Sequence, residues 1–426
     1  MYFKTLKIIV KKKYFLYVFF VFCFFISLFA FVFLIKGYVS YKSAYRNLHN
    51  NVSSNQELID GNYKKFYESP AFSKMLDEEI RSSIIIENNA TPDVISKKII
   101  KDYILPRNIV TLDKIEHKSF LNKYKIGAID WSYKPSHDLK MKDIISFDIF
   151  RTSYYSNITH FGFEARNVNN KKLFIHCSGH GAAAANYANS LKNENLLKFT
   201  KSISNEYDVL LLSMTDQGFN FIRDLPKLRF PTMVKALMND DQTKEGHKIF
   251  EEYRDDNNLN SESEPMDGIS LMLTGNYYLI KNTIDKKNYD KIFMLGHSGG
   301  GLCSTIYPAI IKGINYSVTY EGAPPTFLRY PNMFLHNDFE NTTSKIYDTY
   351  NDLTFYKLGI FNKKNNYTNK KIFIYNDSNV YSSILKDMFE KIILDMKDSN
   401  IEYIKTTKQD HNIDFDLISK LIAINK

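Results

Sequence analysis

Short apolar runs recur along the second half of the chain, and segments with helical periodicity separate them. The runs lie at residues 172–175, 207–214, 292–295, 316–320, 371–375 and 401–406. Apolar helical segments lie at 269–284, 302–311 and 382–396. From about residue 171 onward, this alternation predicts a mostly parallel sheet covered by helices on both faces. Ligands of such sheets bind at the carboxyl ends of the strands.

The part of the chain before this alternation has two other patterns. Residues 144–150 and 160–165 are alternating or aromatic runs split by Ser156 and Asn157, which predicts two antiparallel strands. Residues 37–115 are polar and favour helices, with one helix over 71–87 and another that begins at 91–93 and ends before Pro106. We therefore expect a helical stalk or cap over 37–115 and the main domain over 116–426.

The N-terminal region contains a long apolar segment, residues 15–35, with no charged side chain. About 20 apolar residues are needed to cross a bilayer as a helix, so the pattern predicts a transmembrane helix over 14–36. The lysine-rich tail 1–13 would stay in the cytosol and everything after the helix would be exported. A cleaved signal peptide is the alternative, but residues 27–30 and 37–40 are poor cleavage sites, which favours an uncleaved anchor.

Composition excludes two classes of protein. The net charge of the 426 residues is +9, and five lysines of the tail leave about +4 for the rest, too little to indicate a nucleic-acid partner. Those lysines are Lys4, Lys7, Lys11, Lys12 and Lys13. Three cysteines exclude a disulfide framework. Cys23 lies in the apolar segment, and we expect Cys177 and Cys303 to be buried free thiols, with a bridge between them as the alternative.

The run at 292–295 leads directly into Gly296-His297-Ser298-Gly299-Gly300-Gly301, which we call the elbow, and then into a helix. A serine between a strand and a helix takes a strained backbone conformation that exposes its hydroxyl, and its neighbours must be glycines to avoid collisions. The first N–H groups of the helix point toward the group that such a serine attacks. The pattern predicts that Ser298 is a nucleophile.

A second glycine-containing loop, Ser178-Gly179-His180-Gly181, follows the strand at 172–175. Small residues there would let a backbone N–H approach an oxyanion closely. His180 has two alternative roles, as a general base or as a metal ligand. No set of side chains with metal-ligand spacing accompanies it, so we expect no metal and no cofactor.

A serine nucleophile needs a base, and the base needs a carboxylate that fixes its tautomer. His411 follows the last predicted strand and Asp377 follows the strand before it, which gives the chain order nucleophile, acid, base. Glu321, Asp338 and Glu340 are alternatives for the acid. We predict that Asp377 is the acid, because both its strand-end position and the chain order favour it.

Together, these motifs resemble the α/β-hydrolase superfamily over roughly residues 140–420, specifically serine esterases with an HGxG-like oxyanion loop. The elbow resembles the G-x-S-G-G-G form of some secreted bacterial and fungal hydrolases. The resemblance implies that Ser298 is the nucleophile, His411 the base and Asp377 the acid. It also implies an oxyanion hole formed by the N–H of Gly299 and one donor from Gly179, His180 or Gly181. The loop is not His-Gly-Gly-Gly, so the second donor stays open.

The sequence therefore predicts a single-pass, membrane-anchored serine hydrolase that acts outside the cytosol on a carboxylic ester through an acyl-enzyme. Its substrate would be a small-molecule, glycan or lipid ester. A catalytically silent fold that serves as a binding or adhesion ectodomain is one alternative, although the serine, the histidine and the elbow glycines are all present. An acyltransferase or peptidase on the same triad is another. The oligomeric state stays open.

Overall fold

The protein is described by a computed structural model that covers part of the chain. It describes residues 56–89, 92–104, 111–115, 148–154, 158–179, 194–212, 214, 268–322, 324–329, 346, 349–361, 369–377 and 381–424. Asn62–Lys426 form one compact unit, distinct from Met1–Gly61. The predicted tail 1–13 and transmembrane helix 14–36 lie outside the described residues. No helix within the described ranges has the length and apolar character that a membrane span requires.

Nine strands of the described residues form one sheet. They are β1 (Thr111–Ile115), β2 (Asp148–Tyr154), β3 (Ile158–Ala165), β4 (Lys172–Cys177), β5 (Tyr207–Leu212), β6 (Lys291–His297), β7 (Tyr316–Tyr320), β8 (Lys370–Tyr375) and β9 (Ile401–Lys405). The strand order is β1-β2-β3-β5-β4-β6-β7-β8-β9. The pairs β1–β2, β2–β3 and β3–β5 are antiparallel, and the remaining five pairs are parallel. The prediction of a mostly parallel sheet with an antiparallel pair before it is confirmed.

The helices of the described residues connect these strands and precede them. They are α1 (Gln56–Tyr67), α2 (Pro70–Asn89), α3 (Pro92–Ile99), α4 (Glu194–Ile203), α5 (Gly268–Lys286), α6 (Gly301–Ile310), α7 (Asp352–Phe361), α8 (Ser383–Asp395) and α9 (Phe415–Ile424). Helix α3 continues as a π-helical turn, Ile100–Ile104. The predicted helices at 269–284, 302–311 and 382–396 correspond to α5, α6 and α8.

The sheet is buried on both faces, because its central strands carry apolar residues on both sides. In β6, Ile292 and Met294 lie in one core, against α3, α5, α6 and α7. Phe293 and Leu295 lie in the other, against α4 and α9. Successive side chains of a strand point to opposite faces, so a continuous apolar run is what a doubly covered strand requires. Helices thus cover both faces, as predicted.

The region predicted as a helical stalk or cap, 37–115, contains a strand of the sheet. Strand β1 pairs with β2 from Thr111, opposite Ser153, to Ile115, opposite Ile149. The sheet therefore begins before the predicted boundary at residue 116, and this boundary is corrected. No local pattern of residues indicated β1, since an edge strand pairs on one side only and its register is set by a distant partner.

The helices α1 to α3 are hydrogen-bonded to the main domain through side chains that reach backbone carbonyls. The Ser96 hydroxyl donates to Ala309 O at 2.5 Å, at the end of α6. The Tyr67 hydroxyl donates to Leu328 O at 2.8 Å. Ile99 and Ile104 are fully buried in the core on the α6 side of the sheet. Helix α3 and the turn that continues it therefore pack on α6, the helix that follows the elbow.

Candidate active site

The elbow is a tight strand–turn–helix. Strand β6 ends at His297, Ser298 begins a 3-10 turn (Ser298–Gly300), and α6 begins at Gly301. Ser298 has a φ of 53°, a left-handed conformation that is uncommon for a residue with a side chain. Such a conformation persists only where the surrounding structure enforces it, and it is concentrated at functional sites. Ser298 thus has the strained backbone conformation that the sequence predicted for it.

Close packing around the serine explains two of the glycines. A Cβ added to Gly300 would lie 2.2 Å from the carbonyl oxygen of Cys177, at the end of β4. A Cβ added to Gly322 would lie 1.9 Å from the carbonyl oxygen of Ser298. Both distances are far below contact, so the backbones of three strand ends meet around Ser298 with no room for a side chain.

Gly179 of the predicted oxyanion loop lies against the serine. A Cβ added to it would be 2.5 Å from Ser298 Cβ and 3.2 Å from the backbone nitrogen of Gly299. Ser178, just before it, is fixed by its backbone N–H and its hydroxyl, which both donate to Leu212 O at 3.0 and 3.1 Å. The loop thus starts beside Gly299, the first predicted oxyanion donor. His180 and Gly181 lie outside the described residues, so the identity of the second donor stays a prediction.

His411 lies in the loop between β9 and α9, residues 406–414, which we call the base loop. Its Nδ1–H donates to Oε2 of Glu321 at 3.1 Å. Glu321 follows β7, is fully buried and has a φ of 49°. Its other oxygen, Oε1, accepts the backbone N–H of Asn376. A carboxylate at Nδ1 keeps the proton on that nitrogen and leaves Nε2 free to accept a proton from a nucleophile.

The carboxylate at His411 is that of Glu321, which corrects the prediction of Asp377. Asp377 is exposed to solvent, whereas the residue before it, Asn376, is fully buried. Strand β8 ends at Tyr375, and Asn376 is the residue after it that contacts the base loop, through Nδ2 to the carbonyl oxygens of Asp410 and Asn412. The alternatives Asp338 and Glu340 lie outside the described residues.

Ser298 and His411 lie at the same edge of the sheet. The ring of His297, next to the serine, is 5.0 Å from the ring of His411 between centroids. Its Nε2–H donates to the carbonyl oxygen of His411 at 2.7 Å. Both Ser298 and His411 are described, and no hydrogen bond joins the serine hydroxyl to the imidazole in this structure. Catalytic hydrogen bonds of ligand-free enzymes often become aligned only when substrate binds.

Two more histidines stand at the ends of β4 and β6. Burial lowers the pKa of His297 to about 4, and electrostatic repulsion from the neighbouring imidazole of His411 acts in the same direction. Burial lowers the pKa of the fully buried His176 to about 3, and the neighbouring imidazole of His297 adds a smaller effect in the same direction. Both imidazoles are therefore neutral near pH 7. A neutral His297 with its proton on Nε2 is the form that can donate to His411.

We expect His176 to make the fold sensitive to acid. Its pKa in the folded state is below the unfolded value of 6.5, so the unfolded chain binds the proton more readily and stability falls as the pH drops below about 6.5. Between about pH 6 and pH 4, the free energy of unfolding of the unmodified chain should fall more steeply than that of His176→Gln, by about 1.4 kcal/mol per pH unit. Urea unfolding at several pH values measures both slopes, and parallel curves would contradict the expectation.

The remaining sequence predictions about side chains concern cysteines and metals. Cys177 and Cys303 are buried free thiols, as predicted. Burial raises the pKa of the Cys177 thiol, which makes it a poor nucleophile. Among the described residues, no group of three or more His, Cys, Asp or Glu side chains is arranged to hold a metal ion.

The strand order, the strained serine between β6 and α6, and the histidine after the last strand define the α/β-hydrolase fold, as the sequence motifs predicted. Neither a protein-family model nor a curated protein matches the chain.

Solved structures resemble the chain at low sequence identity. The chain is similar to the esterase Pf2001 of Pyrococcus furiosus, with 12% identity over 68% of this chain and 94% of that chain and a TM-score of 0.39. The chain is similar to acetyl xylan esterase 1 from Thermoanaerobacterium sp. JW/SL YS485, with 10% identity over 78% of this chain and 93% of that chain and a TM-score of 0.43. The chain is also similar to acylaminoacyl peptidase of Pyrococcus horikoshii, with 13% identity over 64% of this chain and 39% of that chain and a TM-score of 0.40. At such values the likeness carries nothing about substrate.

Proposed function

We propose that the protein is a serine hydrolase that cleaves carboxylic esters, with Ser298 as nucleophile, His411 as base and Glu321 as acid. The observation that carries the proposal is a strained serine at a strand–helix turn, beside a histidine whose Nδ1–H is bound to a buried carboxylate. A binding protein has no need to hold a serine in a left-handed conformation or to bury a glutamate against a histidine, because both cost stability.

The first half of the reaction follows from the tautomer of His411. Nε2 takes the proton of the Ser298 hydroxyl while the oxygen attacks the ester carbonyl, and Glu321 stabilises the imidazolium that forms. The resulting oxyanion would accept the N–H of Gly299 and a donor of the 179–181 loop. The N-terminal end of α6 also lies at this point, and its dipole favours negative charge.

The second half regenerates the enzyme. The imidazolium protonates the leaving alcohol, the alcohol departs, and Ser298 carries the acyl group. His411 then removes a proton from water, which attacks the acyl carbonyl, and the carboxylic acid leaves as the serine recovers its proton. Every proton thus passes through Nε2 of His411, so the reaction needs no metal or cofactor.

For the cellular location, we propose that residues 14–36 anchor the protein with residues 1–13 in the cytosol and the hydrolase outside it. The uncharged segment and the lysine-rich flank support this placement. Ester groups of glycans, lipids or small molecules would then be the accessible substrates. Protease treatment of intact cells tests the orientation: an internal tag at residue 13 should be protected, and the hydrolase domain should be digested.

An alkyl fluorophosphonate tests the proposed function directly, because it phosphonylates a serine only where a base and an oxyanion hole activate it. We expect the full chain to be labelled at Ser298, as located by peptide mapping. Ser298→Ala is the matched control and should not be labelled. Lack of labelling of the unmodified chain would contradict the hydrolase proposal and favour a binding ectodomain.

A series of p-nitrophenyl esters of increasing acyl length then defines the acyl group. Hydrolysis restricted to short acyl chains indicates a deacetylase-like enzyme, and a preference for long chains indicates a lipase-like enzyme. Product analysis with added alcohol separates hydrolysis from acyl transfer, because a transferase gives the new ester and a hydrolase gives the free acid.

A further inference from the structure

One buried residue, Asn376, is hydrogen-bonded to the proposed acid, Glu321, and to the residues on both sides of the proposed base, His411. It is the first residue after β8, it is fully buried, and its backbone N–H donates to Oε1 of Glu321. Its carboxamide Nδ2 donates to the carbonyl oxygens of Asp410 at 2.7 Å and Asn412 at 3.2 Å. These are the residues immediately before and after His411. Asn376 therefore holds the base loop on both sides of the base.

The orientation of this carboxamide is fixed by its other contacts. Oδ1 accepts the hydroxyl of Tyr320 at 2.8 Å and the hydroxyl of Thr406 at 2.7 Å. An asparagine side chain offers two N–H donors and two oxygen lone pairs, and all four are used here. Two carbonyls can be satisfied only by the NH₂ end, so the assignment of Nδ2 and Oδ1 follows from the partners.

The carbonyl of His411 itself is held from the other side by His297. Three consecutive carbonyls, at 410, 411 and 412, thus accept hydrogen bonds from the side chains of Asn376 and His297, and the carbonyl of Asn412 also accepts one from the Lys408 amine at 3.2 Å. The backbone carbonyl of Asn376 in turn accepts the Lys386 amine at 3.0 Å. Contacts to the backbone of the base loop, as well as the contact of the His411 ring with Glu321, therefore set the position of the imidazole relative to Glu321 and Ser298.

We propose that Asn376 is a positioning residue of the active site, which aligns His411 with Glu321 by holding the base loop through its carboxamide and the acid through its backbone N–H. The proposal rests on the proposed function. Asn376 acts through Glu321 and His411 and does not itself bond Ser298. Its loss should therefore slow the chemical step and leave binding of the substrate or inhibitor nearly unchanged.

The test is Asn376→Asp in the full chain. It keeps the size and one oxygen but places an oxygen without a proton against two carbonyl oxygens, so both contacts to the base loop become repulsive. We expect the maximal rate of phosphonylation by an alkyl fluorophosphonate to fall about 100-fold, while the concentration giving half that rate changes less than about threefold. If Asn376 served only stability, the substitution would lower the melting temperature and leave the maximal rate of the folded protein unchanged.

Asn369→Asp is the matched control, because Asn369 stands at the other end of the same strand. It is also buried, and its Nδ2 donates to a backbone carbonyl, that of Gly359, at 3.1 Å. We expect this variant to lose stability comparably and to keep the maximal rate of phosphonylation. A loss of rate in Asn369→Asp as large as in Asn376→Asp would overturn the proposal.

Thr406→Val provides a second, milder variant, which removes the hydroxyl that donates to Oδ1 of Asn376 at 2.7 Å and accepts the backbone N–H of Lys408 at 3.4 Å. We expect the maximal rate of phosphonylation of Thr406→Val to fall about three- to tenfold. If Asn376→Asp does not fold, the rate of Thr406→Val tests the positioning role. An unchanged rate in the folded variants overturns the positioning role while the hydrolase proposal stands. An unmodified chain that does not react at all overturns the hydrolase proposal and, with it, the positioning role.

Discussion

Glu321→Gln is expected to lower kcat for ester hydrolysis by about 10⁴-fold, with little change in KM. The carboxylate of Glu321 accepts the Nδ1–H of His411 at 3.1 Å, and this bond keeps Nε2 without a proton. A glutamine can present its NH₂ group instead, which favours the tautomer with the proton on Nε2. That tautomer cannot take the proton of the serine. Steady-state kinetics on the best p-nitrophenyl ester measures the effect.

Asp377→Asn is the matched control for this change, because it alters one carboxylate to an amide at the residue that the sequence favoured. Asp377 is exposed, and we expect kcat to stay within about twofold of the unmodified value. The reverse result, a large loss in Asp377→Asn and none in Glu321→Gln, would show that the acid assignment from the structure is wrong.

Gly322→Ala is expected to reduce kcat at least about 100-fold and to destabilise the fold by about 2 to 3 kcal/mol. The added Cβ would lie 1.9 Å from the carbonyl oxygen of Ser298 and 2.8 Å from its carbonyl carbon. Both atoms are backbone, so the collision can be relieved only by moving the serine or the start of the following loop. Kinetics and urea unfolding on the same preparation measure the two effects.

Gly61→Ala provides the control for a glycine-to-alanine change. Gly61 is an exposed residue inside helix α1, and an added Cβ would meet no atom within 4 Å. Alanine favours a helix over glycine, so we expect a gain in stability of about 0.5 to 1 kcal/mol and unchanged kcat. If Gly322→Ala behaved like Gly61→Ala, the crowding at Ser298 would be less strict than the structure indicates.

The central strands and the elbow were predictable because their signals are local. An apolar run such as 292–295 is buried on both faces of a parallel sheet, and the glycines around Ser298 follow from contacts with chain segments that meet at every elbow of this kind. The helix α6 follows directly from the apolar residues after Gly301. These features need no knowledge of which distant residues pack together.

The proposed acid, Glu321, was not predictable from the same information. Glu321 and Asp377 each follow a strand, and the pattern of the sequence does not tell which strand end faces the base loop. After β8, the buried residue is Asn376 and the exposed residue is Asp377, so the carboxylate of Asp377 is directed to solvent. The role of Asn376 was missed for a related reason, since its partners at 410 and 412 are about 35 residues away. Its only local signal is that it is the first polar residue after an apolar strand.

The contacts of helix α3 with α6 limit how far the polypeptide can be shortened. A protein started at residue 116 would lack Ser96, Ile99 and strand β1, and would leave the carbonyl of Ala309 without its donor and the edge of β2 unpaired. Apolar surface on α6, the helix that follows Ser298, would be exposed to water. Shortened versions of the protein should therefore begin near residue 56, since the helices before β1 supply part of the packing behind Ser298.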